Sequence, residues 1–200
     1  MKSNSVTLYP DMLDWICGEL LGDGCLHSYR FMSAKFKYSS KYIEYILYVS
    51  RILQSFGVVQ AGRIYGYSNE GTVYSPSYSY QSCSYPDLQI LYDIWYPEGK
   101  KVVPEGLGLP AVTCRQWYMG DGCLQHRQGR RPNVILCTDC FPISSVNWLV
   151  NQLITLGFDT TRQPNSNRIR ISSTSTEAFL KYIGECPVEC YKYKWNIGGE

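Results

Sequence analysis

The chain is expected to be an α+β protein made of two αββαββα repeats, and three observations point there. The pentapeptide Gly22-Asp23-Gly24-Cys25-Leu26 returns unchanged as Gly120-Asp121-Gly122-Cys123-Leu124. Each copy follows an apolar run at helical spacing that opens on a proline, Pro10 or Pro110. After each copy the patterning then runs in the same order: a strand pair, a helix, a second strand pair, a helix. A repeat of roughly one hundred residues is too long for a solenoid and suits a duplicated unit.

Proline fits the first helical turn, and glycine is expected to end a helix at positive φ, so each motif predicts a helix stopping at an aspartate. An aspartate there faces the negative end of the helix macrodipole, and a divalent cation is the natural compensation. Packed side by side, the two helices would bring Asp23 and Asp121 together at one end. Gly18 and Gly22 would let the backbones approach, with Gln116 standing where the first helix has Gly18.

Residues 25–30 and 32–38 alternate as a hairpin. Ser40 to Phe56 is helical and Gly57 stops it. A second strand pair falls over 58–67 and 73–82, around Asn69-Glu70-Gly71. Ser84 is expected to cap a helix with Pro86 in its first turn, ending at Trp95. The glycine- and proline-bearing segment 96–109 links an N-terminal repeat, 1–95, to a C-terminal one, 110–200. In the second repeat, strands are expected at 123–128 and 133–139, and a helix at 144–156. A hairpin at 159–163 and 168–172 follows, then a helix opened by the capping box Thr174-Ser175-Thr176-Glu177.

A net charge of +2 is modest, but its distribution is not even. No acid lies between Asp23 and Glu44, where Arg30, Lys35, Lys37 and Lys41 stand. Arg127, Arg130 and Arg131 fill the acid-free stretch from Asp121 to Asp139, and Arg162, Arg168 and Arg170 that from Asp159 to Glu177. Three basic hairpins are the footprint of a sheet facing phosphates. Alternation from each aspartate puts His27, Tyr29, Gln125 and Arg127 on that face. The flanking apolar positions add Ser33, Lys35, Arg63, Tyr65, Ser79, Gln81, Arg168 and Arg170, leaving Ile169 and Ile171 in the core.

The chain resembles single-chain LAGLIDADG homing endonucleases. Ile16–Gly24 and Cys114–Gly122 look like the two signature helices, with Asp23 and Asp121 at the motif's acidic eighth position. The likeness continues through Phe36–Tyr45, Tyr80–Pro86, Gly99–Pro104, Leu136–Phe141 and Tyr193–Asn196, and so covers most of the chain. Tyr38 and Asp139 take places where many members carry glutamine. The resemblance implies a pseudo-two-fold, DNA-binding saddle of antiparallel sheets lying in the major groove. It implies a site-specific double-strand DNA endonuclease that leaves short 3′ overhangs. Asp23 and Asp121, with the Gly22 and Gly120 carbonyls, would hold Mg2+; Mn2+ would substitute, and Ca2+ would support binding without cleavage. Lys101 and Lys194 would assist catalysis. The implied partner is double-stranded DNA of about two helical turns, bound by a monomer. The rival readings are a maturase that binds host intron RNA and an inactive DNA-binding protein.

Cys137-x-x-Cys140 and Cys186-x-x-x-Cys190 form a candidate zinc set. His27 and His126 have no metal-pair spacing and read as surface or DNA-facing. No glycine loop suited to nucleotide phosphates is present. No run is long enough for a membrane span, and Met1-Lys2-Ser3-Asn4 opens no signal region. Nine cysteines, several in apolar segments, predict an intracellular, reducing compartment, organellar or prokaryotic.

Overall fold

The computed structural model describes residues 4–30, 32–67 and 77–198. Helix α1 (Pro10–Leu21) leads into β1 (Cys25–Tyr29) and β2 (Ser33–Ser40), then α2 (Ile43–Ser55), β3 (Tyr65–Tyr67), β4 (Ser77–Gln81) and α3 (Pro86–Trp95). The second half repeats that order. It comprises α4 (Ala111–Asp121), β5 (Gly122–Arg127), β6 (Arg130–Leu136), α5 (Ile143–Thr155), β7 (Thr160–Arg162), β8 (Ile169–Ile171) and α6 (Thr176–Ile183). Short 3-10 helices cover Pro97–Gly99 and Glu189–Trp195. The two four-stranded antiparallel sheets have matching orders, β1-β2-β4-β3 and β5-β6-β8-β7.

One face of each sheet is apolar and packed under helices. Leu26, Ala34, Phe36, Tyr38 and Tyr80 are buried in the first sheet, and Val134, Leu136, Ile169 and Ile171 in the second. Helices α2 and α3 cover the former, α5 and α6 the latter. Between the halves, α1 packs along α4. A Cβ on Gly18 would lie 2.6 Å from the Thr113 carbonyl oxygen and 2.8 Å from the Gln116 Cβ, so Gln116 fills the space Gly18 leaves. One on Gly120 would lie 3.1 Å from the Gly22 Cα.

Several expectations need correction. Gly22 and Gly122 have φ of −97° and −100°, so neither helix ends through a left-handed glycine. The glycines serve close approach instead. Pro110 caps α4 from outside, and α4 runs through Asp121, whereas α1 stops before Gly22. Ser84 is no cap, since Tyr85 precedes α3. The capping box does not form either: Ser175 precedes α6 without a capping bond, its Oγ accepting the Asp159 amide instead, and Thr176 donates to the Ser172 carbonyl. The expected strand 58–67 is only Tyr65–Tyr67, preceded by an isolated bridge from Gln60 to Ser82. The expected turn at Asn69-Glu70-Gly71 and strand residues 73–76 lie outside the described residues. Among the described residues, no helix is long and apolar enough to cross a membrane.

Candidate active site at the helix interface

The repeated pentapeptide places each aspartate where a motif helix hands over to the first strand of its sheet. The backbones meet there: a Cβ on Gly120 would lie 3.1 Å from the Asp23 amide nitrogen. Asp121 is partly buried, and its carboxyl is pushed up to about 6, first by burial and then by the charge of Asp23. Lys101 and Lys194 pull the other way. The Asp23 charge opposes ionisation of Asp121, and the two carboxylates, beside main-chain carbonyls, form an all-oxygen donor set suited to a hard divalent cation. The residues therefore fit Mg2+.

Both lysines lie at the ends of the motif helices. The Lys101 ammonium donates to the Gly24 carbonyl at 2.9 Å and the Gly22 carbonyl at 3.4 Å. Lys194 donates to the carbonyls of Met119 at 2.6 Å and Gly120 at 3.3 Å. Each thus complements the negative end of a motif helix. Burial holds both ammonium groups below the usual lysine range, while both aspartates oppose that shift.

A buried cluster between the helices escaped the sequence reading. Glu19 is fully buried, accepting from the Tyr45 hydroxyl at 2.7 Å and the Gln116 amide at 2.8 Å. Glu19 Oε2 and Gln116 Oε1 are buried without partners. Burial pushes the Glu19 carboxyl up to about 8, outweighing both donors and favouring the neutral acid. Asp11 and Asp14 stand in the same helix, so no local signal singles Glu19 out.

The cross-strand registers settle which side chains share a face. In the first sheet, His27 pairs with Lys35, Tyr29 with Ser33, Lys37 with Gln81 and Tyr65 with Ser79, all on the side away from the helices. Arg30, in the turn, lays its guanidinium 5.2 Å from the Tyr29 ring centroid. Arg63 is exposed two residues before β3. In the second sheet, Gln125 pairs with Asn133, and Arg170 lies between Ile135 and Thr161 on the same face. A register shift leaves Arg131 and Pro132 together opposite His126 and makes Arg127 and Arg130 partners. Arg162 pairs with Ile169, which is buried, so it stands on the helix-side parity rather than with Arg170.

Two further readings change. Tyr38 and Asp139 are not counterparts: Cys25 pairs with Lys37 and Cys123 with Ile135, which sets Tyr38 against Leu136 and Asp139 against Lys41. Tyr38 is buried with its hydroxyl 3.4 Å from Asp23 Oδ2, while Asp139 is exposed and takes Arg168 Nε at 2.7 Å. The proposed zinc set does not assemble, since no three His, Cys, Asp or Glu side chains converge as ligands among the described residues.

Residues 13–179 match the family model of the LAGLIDADG DNA endonuclease family. The chain belongs to that family. It is 29% identical over 151 residues to an uncharacterized protein of Methanocaldococcus jannaschii, covering 74% of this chain and 58% of that one. The chain therefore spans little more than half the length of that relative. Among solved structures, the homing endonuclease I-WcaI bound to its DNA recognition sequence matches with a TM-score of 0.79 and 19% identity, over 96% of this chain and 87% of that one. I-DmoI in complex with DNA and Mn matches at 0.50 and 13% identity, over 86% and 97%. The N-terminal LAGLIDADG domain of WhiA matches at 0.54 and 12%, over 86% and 82%. At these identities the structures establish the fold: the chain is a homing endonuclease-like α+β protein.

Proposed function

We propose that the protein is a site-specific endonuclease that hydrolyses both strands of double-stranded DNA with Mg2+, leaving short 3′ overhangs. One observation carries this reading: Asp23 and Asp121 stand at the adjoining ends of α1 and α4, and each end also accepts hydrogen bonds from a lysine ammonium. That is a charge-stabilising arrangement in duplicate, one for each strand. The family membership supports the reaction class, and I-DmoI complexes with DNA and Mn or Ca support a divalent cation.

Bound divalent metal would neutralise charge developing on the scissile phosphate and lower the pKa of the attacking water. Asp23 and Asp121 would hold it, together with the Gly22 and Gly120 carbonyls. The Lys101 and Lys194 ammonium groups, already fixed by main-chain carbonyls, oppose negative charge without reorganising during reaction. The polar faces of both sheets orient the duplex: Lys35, Lys37 and Arg170 suit phosphates and bases, and His27, Tyr29 and Gln125 suit base edges. We read the protein as a monomer spanning about two turns of DNA, because the pseudo-symmetric chain supplies both halves itself.

The test is incubation with DNA spanning the insertion site of the protein's own gene, with Mg2+ or Ca2+, alongside Asp23→Asn and Asp121→Asn. Double-strand cleavage in Mg2+, lost in either variant while binding in Ca2+ persists, is the expected result. Tight DNA binding without cleavage would replace the nuclease with a binding protein. Binding confined to intron RNA would make it a maturase.

A further inference from the structure

The two lysines of the site are carried by segments outside both motif helices, and the way those segments are held is reciprocal. Lys194 lies in the 3-10 helix Glu189–Trp195 and serves the end of α4, in the second half. That helix is held from both halves. In the second, the Tyr118 hydroxyl donates to the Lys194 carbonyl and the Trp195 indole to the Gly184 carbonyl. Its opening turn is tied to the first half. Glu44, in the first turn of α2, accepts the Glu189 amide at 2.6 Å and the Cys190 amide at 3.1 Å. Tyr191, next along, packs edge-on against Tyr42 at 5.4 Å between ring centroids. The Lys194 ammonium lies 4.8 Å from the Tyr191 ring centroid.

Lys101 shows the converse. It serves the end of α1, in the first half. Its own segment is also held from both halves. In the first, the Val102 amide donates to the Trp95 carbonyl at 2.8 Å. In the second, Ser145, in the first turn of α5, accepts the Val103 amide at 3.2 Å. The Lys101 ammonium lies 5.6 Å from the Phe141 ring centroid, just before α5. The first turns of the two equivalent helices thus perform matching tasks with different chemistry. A carboxylate accepting two main-chain N–H groups makes a stronger, charge-assisted clasp than one serine hydroxyl.

We propose that Glu44 and Ser145 are positioning residues, each fixing the lysine that serves the opposite half of the site. Resting on the nuclease reading above, this cross-wires the reaction: the half that supplies the clasp is not the half whose helix end the lysine stabilises. Misplacing a charge-stabilising group by about an ångström is enough to cost roughly 10²-fold in rate. Damage to either clasp therefore slows mainly one strand cut, and the two clasps affect opposite strands.

The experiment uses Glu44→Ala and Ser145→Ala in the full chain, with Lys192→Ala as a control that breaks only an exposed ion pair beside Glu44's clasp. Strand-labelled duplex reports each cut separately, and Ca2+ reports binding without turnover. The expected result is roughly ten- to a hundredfold slower cleavage of one strand in Glu44→Ala and of the other in Ser145→Ala. Nicked duplex accumulates, binding is retained, and Lys192→Ala behaves as wild type. Equal slowing of both strands in both variants, or no change, overturns the proposal.

A second readout needs no cleavage. Amine-selective labelling followed by peptide mass mapping should show Lys194 more reactive in Glu44→Ala with Lys101 unchanged, and the reverse in Ser145→Ala. If the wild type cuts no DNA but this crossed labelling holds, the nuclease reading has failed and the positioning roles stand. Uniform labelling of both lysines in either variant removes the positioning roles whatever the enzyme does.

Discussion

The two halves share a pentapeptide, a strand order and a pair of lysine-bearing segments, but their aspartates sit in different settings. Asp23 lies past the end of α1, exposed, within 3.4 Å of a buried tyrosine hydroxyl. Asp121 occupies the last turn of α4, partly buried, with its carboxyl pushed up to about 6. The repeated residues reproduce the backbone path. The electrostatic setting comes from the residues that do not repeat. Duplication thus supplies two similar positions, and divergence around them makes two chemically distinct half-sites.

The most severe way to break the comparison is to remove one carboxylate. Either Asp23→Asn or Asp121→Asn should lower cleavage by on the order of 10²–10³-fold or more, the scale on which a single transition-state charge interaction matters. The halves should then separate in their acid limbs. With wild-type protein, metal affinity falls as pH drops through about 6, because Asp121 takes up a proton there. Asp23→Asn removes the opposing charge, leaving burial as the main cause, so the Asp121 midpoint moves down. A midpoint unmoved in titration of apo Asp23→Asn would mean the two carboxylates do not sense each other.

Next in size is the helix interface, where the two helices contribute unequal residues at matched positions. A Cβ at Gly18 would meet Thr113 and Gln116 at 2.6–2.9 Å, whereas one at Gly22 finds nothing nearer than 3.3 Å. Gly18→Ala should therefore cost about 1–3 kcal/mol in denaturant unfolding, as overpacking does, and Gly22→Ala less. Equal losses would mean that both helices shift freely and that Gln116 is no filler for Gly18.

Much of this was legible beforehand, for identifiable reasons. The parity of β1, β2 and β4 could be read because Leu26, Phe36 and Tyr80 alternate with polar residues over enough length to fix a register. Strand β7 is three residues long, too short to display a parity, so the sequence leaves the face of Arg162 open where the register sets it opposite Ile169. The family resemblance puts Tyr38 and Asp139 in equivalent strand-end places, and the register shows that match to be three residues out of step. Glu19 was invisible for another reason. Its partners Tyr45 and Gln116 lie 26 and 97 residues away, and nothing local distinguishes a buried neutral acid from a surface charge.

That acid offers a subtler probe of what joins the halves. The folded carboxyl of Glu19 titrates near 8, against 4.5 for an ordinary glutamate, so the folded state holds a proton that the unfolded chain releases between those values. Stability contributed by the protonated form is full below about 4.5 and is lost as pH rises toward 8. Glu19→Gln mimics the protonated acid and should flatten that decline in unfolding measurements made from pH 5 to 9. A wild-type profile already flat across this range would place Glu19 outside the buried setting described here.

The smallest expected effect tests the faces of the second sheet. Arg170 shares a face with Ile135 and Thr161, on the side proposed to meet the duplex, while Arg162 stands opposite Ile169 on the other parity. Removing a side chain that holds one phosphate lowers the slope of log K against log salt by about one. Arg170→Ala should do so, or should relax discrimination at a single base pair if the guanidinium reads a base edge. Arg162→Ala should leave both the slope and the sequence preference near wild type, although the two residues lie on neighbouring strands and carry the same charge. Equal effects from the two would mean that long guanidinium side chains reach around the short β7 edge, and that face assignment by parity fails where a strand is only three residues long.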